Sequence, residues 1–121
     1  AAASGEFKVT TGGTPADNAI QWLLRRSTAV GTEGAGVVPV ALDPADAASI
    51  LDGAENHSVE PTYTAATELF AQIINQRALF RWVAAPGGEL VIPATASAGI
   101  GAVAFHASYT GSAEATFHFM E

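Results

Sequence analysis

The sequence predicts an all-β protein, built as a single β-sandwich or jelly-roll-like domain. Three observations carry this. Apolar and polar residues alternate at period two in several short stretches, the pattern of strands with one buried face. Turn signals made of Gly and Pro punctuate the chain roughly every 10 residues, which leaves room for about seven to nine short strands. The composition, 49% hydrophobic and 14% charged with no cysteine, suits a packed core and not disorder or a disulfide-stapled scaffold. At 121 residues the chain has the size of one ordinary domain and can bury about two-thirds of its unfolded surface. Much of the apolar fraction is alanine, which buries little area per residue, so a partner surface is expected to supply part of the stability.

Residues 1–18 are small and polar, with Gly12-Gly13 and Pro15 as breakers and Phe7 as the bulky exception. They are expected to form a flexible N-terminal arm with at most a short strand over Glu6–Thr11, leaving residues 19–121 as the sandwich domain. Ala19–Ser27 reads as a strand with Ile20, Trp22 and Leu24 on one face and Gln21, Leu23 and Arg25 on the other. A glycine-rich loop around Gly34 follows. Val37–Leu42 contains Pro39, which cannot donate to a ladder, so it is an edge strand or an extended loop.

Asp43-Pro44 begins a short helix near residues 44–51, because Asp43 can cap free N–H groups and Pro44 suits a first helical position. Thr62–Thr67 alternates as a strand. Glu68–Asn75 fits both periods and is assigned to strand. Ala78–Val83 alternates, with Phe80 and Trp82 on one face. Pro86-Gly87-Gly88 marks a turn, and Leu90–Ile92 is a strand closed by Pro93.

Ile100–Tyr109 and Ser112–Met120 are expected to form a hairpin around Thr110-Gly111. That register pairs Tyr109 with Ser112, Ala104 with Phe117 and Ala102 with Phe119. Ile100, Ala102, Ala104, Ala115, Phe117 and Phe119 then share the core side, small residues opposite large ones. The other side carries Val103, Phe105, Tyr109, Glu114, Thr116 and His118. It is too apolar for a plain solvent face and too polar for a core, so it is expected to be a subunit contact, with Phe7 of the arm as a further contact.

The net charge of −7, from 5 basic and 12 acidic residues, argues against direct nucleic-acid binding, which needs Lys and Arg to neutralise phosphate. No apolar run approaches the roughly 18 residues of a membrane-spanning helix. Without cysteine, thiolate metal sites and thiol nucleophiles are excluded, and assembly inside a cell is favoured. His57, His106 and His118 do not form a ligand set, since the register places His106 and His118 on opposite sides. Asp43, Asp46, Asp52 and Glu55 lack the spacing of a calcium loop. Gly31, Gly34 and Gly36 do not match a phosphate loop, and no serine sits in G-x-S-x-G. Asn56-His57-Ser58 is a formal glycosylation sequon. Trp22, Tyr63, Trp82 and Tyr109 could build a sugar platform, but aromatics at strand spacing are more often core or interface. No catalytic residue, cofactor or metal ligand is therefore expected.

Two stretches carry a resemblance: IQWLLRRSTAVGTEGAGVVPVALDPADAAS over Ile20–Ser49 and NQRALFRWVAAPGGELVIPA over Asn75–Ala94. With the closing FHFME, the layout resembles small virion proteins of tailed bacteriophages: a strand, a Gly-Thr loop, an L-D-P segment, further strands and a terminal glutamate. The resemblance implies a non-enzymatic decoration, or cement, protein on the outer capsid surface. Its partners would be copies of itself, as a homotrimer, and the major capsid protein, with assembly in the host cytoplasm. The competing expectation is a carbohydrate- or receptor-binding β-sandwich module of a phage tail or fibre.

Overall fold

The computed structural model describes residues 2–11, 17–105 and 112–121, and they are all-β without a helix. The strands are β1 (Ala2–Thr11), β2 (Ala19–Ala29), β3 (Ala35–Val37), β4 (Gly53–Glu55), β5 (Thr62–Asn75), β6 (Phe80–Val83), β7 (Leu90–Ile92), β8 (Gly99–Phe105) and β9 (Ala113–Met120).

One sheet is centred on β1. β9 pairs along one of its edges, while β6 and β7 lie end to end along the other. The Pro86-Gly87 turn is thus an outward excursion of one interrupted strand. Within it, Gly88 N–H donates to the Ala85 carbonyl at 2.8 Å, and Ala84 N–H donates to Gly5 at 2.8 Å. The second sheet runs β5-β2-β8, antiparallel throughout. β3 and β4 form a separate two-stranded ribbon.

The two larger sheets pack face to face. Ile20, Trp22 and Leu24 of β2 are 1%, 5% and 1% exposed, as their alternation requires, and they meet the fully buried Phe7 and Val9 of β1. Each such side chain contributes about 1.5–3 kcal/mol by leaving water. Phe70 of β5 lies 5.2 Å from Phe80 and 6.3 Å from Trp82 of β6, so β5 faces β6. β8 and β9 therefore lie on the opposite side of the sandwich.

Three expectations are corrected. Residues 2–11 of the expected arm belong to the sandwich, while residues 12–16 lie outside the described residues. β1 is the centre of its sheet, and its small residues Ala2 and Ser4 fit under neighbouring strands as fully as Phe7 does. A bulge at Gly5 keeps Ser4, Phe7 and Val9 on the same inner face.

The short helix near 44–51 is a single turn. Asp46 N–H donates to the Asp43 carbonyl at 3.0 Å, and Ala45 N–H donates to Asp43 Oδ1 at 2.9 Å. Asp43 caps as expected, but a helix this short and unpacked has nothing to stabilise it.

Among the described residues, β8 and β9 do not pair as the expected C-terminal hairpin. β8 pairs β2, placing Ala104 beside Trp22 and Ala102 beside Leu24, while β9 pairs β1, placing Phe117 beside Phe7. The chain between Phe105 and Ala113, at about 3.3 Å per residue, is long enough to cross the roughly 10 Å between packed sheets. The Thr110-Gly111 turn and the pairing of Tyr109 lie outside the described residues.

Candidate functional site

Between β2 and β5 the chain leaves the sandwich as a ribbon, residues 30–61. Its neck is a pair of antiparallel strands held by backbone bonds. Thr32 N–H donates to Val59 at 2.9 Å, Ser58 N–H to Thr32 at 2.9 Å, and Gly34 N–H to Glu55 at 3.1 Å. β3 and β4 extend this ladder. Glycine is needed twice. Gly31 has a φ of 68°, a left-handed conformation that side chains disfavour. A Cβ on Gly34 would lie 2.1 Å from the Asn56 carbonyl oxygen.

Beyond the neck, residues 38–52 run without regular structure, at the length of about 12–15 residues where loops are usually functional. Val38, Val40, Leu42 and Ile50 are 82–89% exposed. Isolated exposed apolar residues are ordinary, but four of them in one loop outside the sandwich make that loop a candidate interaction site. The far side of the tip is tied down. The Glu121 carboxylate accepts from the Ser49 hydroxyl and from the N–H groups of Ile50 and Leu51. Those bonds, with the Ser49 hydroxyl first, hold the Glu121 carboxyl below the usual glutamate range.

A groove of about 2180 Å³ separates the ribbon from the open side of the sandwich. Because β8 and β9 do not pair, their inward side chains face it: Ala102 and Ala104 from β8, Ala115, Phe117 and Phe119 from β9. The alternation of both strands is as the sequence predicts, yet the side assigned to the core is only partly covered. Ala104 and Ala115 are exposed, and Phe119 is 38% exposed. Trp22, paired with Ala104, also lines the groove. It is buried, and its indole Nε1 has no acceptor among the described residues.

The expected contact residues do not share a face. Phe7 is fully buried in this chain's own core and cannot reach a partner. Val103 and Phe105 are on the outer face of the β5-β2-β8 sheet beside Leu23 and Gln21. There the Arg25 guanidinium lies 5.5 Å from the Phe105 ring centre and is held by Glu68 at 3.0 Å. Glu114, Thr116 and His118 are exposed on the outer face of the other sheet. His118 Nδ1 lies 3.4 Å from Glu6, whose other oxygen accepts from Arg81 Nε at 2.8 Å. The Arg81 bond, aided by His118, holds Glu6 below the usual range. Tyr109 lies outside the described residues. The ribbon tip was legible in the sequence as an uncharged apolar run, Val37–Leu42, but its exposure was not.

Among the described residues no three of His, Asp and Glu gather as metal ligands. His106 lies outside the described residues. Trp22 and Trp82 face the sandwich interior and Tyr63 is half-buried, the core placement favoured over a sugar platform for these three aromatics. The arginines are dispersed and engaged: Arg25 with Glu68, Arg77 with Asp17, Arg81 with Glu6, and Arg26 with the Val91 carbonyl at 2.7 Å. They make no basic stripe for a nucleic-acid backbone. No helix among the described residues is long and apolar enough to cross a membrane. No family model, curated protein or solved structure matches this chain.

Proposed function

We propose that the protein is a non-enzymatic structural subunit that assembles with other protein subunits, as an oligomeric decoration or cement protein on the outer surface of a phage capsid. The observation that carries the assembly part is the ribbon tip. It presents Val38, Val40, Leu42 and Ile50 almost fully to solvent, an arrangement that costs solubility unless a protein surface covers it. The open groove supports the same reading from the other side. The capsid part rests on the resemblance of Ile20–Ser49 and Asn75–Ala94 to small virion proteins. No structural observation favours the carbohydrate-binding alternative.

Co-sedimentation with empty capsids of the phage that encodes the protein tests this reading. The folded chain is expected to pellet with the shells and to saturate at a fixed ratio to the major capsid protein. A chain that stays in the supernatant at micromolar concentration overturns the capsid assignment.

A further inference from the structure

We infer that the groove at the open β8/β9 side is the seat of the Val37–Leu42 segment of a second copy of this chain, laid as an added strand along the free edge of β8. The inference rests on the reading of the protein as a self-assembling subunit and names the surfaces that join.

The first argument is the edge. Among the described residues β8 is the last strand of its sheet, and Gly99–Phe105 contains no charge, proline or bulge to discourage pairing. An uncharged free edge of this kind is a template for another strand. Pro39 suits the incoming segment, because a strand added at an edge need not donate from every residue.

The second argument is fit. The groove of about 2180 Å³ is lined by β8 from Gly99 to Ala104 and by Ala115, Phe117 and Phe119 of β9, which is room for an extended segment. Alanines on the β8 and β9 sides leave room for branched side chains, and Phe117 and Phe119 offer an apolar wall.

The third argument is charge and area. Residues 34–42 carry no charge, and neither do the strands facing the groove from Gly99 to Phe105. The rim is acidic, with Glu33, Asp52, Glu55 and Glu121. It repels an anionic ligand and accepts a neutral segment. Burying four large apolar side chains and their backbone in such a groove removes on the order of 1,000 Å² per contact, the size at which a specific interface becomes credible. Passed around a closed ring, each ribbon fills the next copy's groove and none is left over.

A copy does not fill its own groove. The segment lines the same cleft, yet Val38, Val40 and Leu42 remain 82–86% exposed. The Glu121 contacts to Ser49–Leu51 tie the ribbon to the end of β9.

The chain has no native cysteine, so engineered thiols report cleanly. A Val40→Cys chain and an Ala104→Cys chain, both at exposed positions, are mixed and treated with a short bis-maleimide, which tolerates an unknown register. Heterodimers between the two variants are the expected product, well above homodimers. A chain carrying both substitutions is expected to give linked oligomers. Closure of that double variant as a cross-linked monomer, or no linkage at all, overturns the inference.

Sedimentation equilibrium of the V38D/V40D variant supplies a second readout. Its self-association is expected to be about 100-fold weaker than that of the unaltered chain. Salt at about 1 M is expected to strengthen the unaltered oligomer by screening rim repulsion. Equal association of the two chains overturns the inference. Capsid co-sedimentation separates the two proposals. Capsid binding without cross-links removes this inference and leaves the capsid reading. Cross-links without capsid binding do the reverse.

Discussion

Replacing Phe7 with alanine tests whether β1 belongs to the core. Phe7 is 0% exposed, its ring centre lies 4.8 Å from that of Phe117, and Trp82 is its partner on the other neighbouring strand. Truncation to alanine removes the buried ring and leaves a cavity between ladders that cannot easily close. Phe→Ala changes at such sites cost about 3–5 kcal/mol. A domain of this length has a stability of about 6–18 kcal/mol, so the loss is a large share of the total. Taking about 2.1 cal/mol/K of unfolding entropy per residue, the melting temperature falls by roughly 12–20 °C. Urea unfolding followed by the fluorescence of Trp22 and Trp82, which report from inside the sandwich, measures the loss directly. It is read at one protein concentration, since association raises apparent stability. A loss below about 1 kcal/mol with an unchanged m-value would refute the placement of β1 and restore the N-terminal segment to an arm.

Gly34→Ala is expected to disrupt the ribbon and spare the sandwich. Its Cβ would meet the Asn56 carbonyl oxygen at 2.1 Å, an overlap that costs about 1–3 kcal/mol locally. Hydrogen exchange should show lost protection at Thr32, Gly34 and Val59 with the β2 and β5 amides unchanged; equal loss in β2 would contradict the independence of the ribbon. Acidification is expected to release the ribbon tip from Glu121. The folded pKa lies below the ordinary 4.5, so the interaction favours the folded arrangement above that value and is lost as pH falls through the lowered one. The amide resonances of Ile50 and Leu51 should therefore titrate below pH 4.5 and cease to do so in Glu121→Gln. Titration at the unshifted value would show that the carboxylate contacts do not persist in solution.

Side-chain parity is the part of the fold most legible in the sequence. The alternation of Ile20, Trp22 and Leu24, of Phe80 and Trp82, and of Ala115, Phe117 and Phe119 reports which residues face inward, because successive residues of a strand point to opposite sides. The inward faces found for β2, β6, β8 and β9 agree with it. The lean of Glu68–Asn75 towards strand also agrees, as the end of the continuous β5. Asp43 forms its cap because that bond is local, within two residues.

Partner choice is the part that local pattern cannot encode. β8 and β9 have complementary small and large residues, and a turn signal lies between them, so a hairpin satisfies every nearby preference. The competing pairings, β8 with β2 and β9 with β1, bring residues from 72 to 117 positions apart into register and are favoured by burial of both sheets' inner faces together. For the same reason Ala2–Thr11 looks like a tail in isolation. Its burial comes from β6, β7 and β9, which lie far along the chain. Composition and alternation by themselves determined an all-β protein with a sandwich's inward faces and without a basic stripe. Only the tertiary structure decided that β1 is central, that the β8/β9 side stands open and that the Val38–Leu42 segment stands exposed, because each depends on which distant strands compete for the same edge.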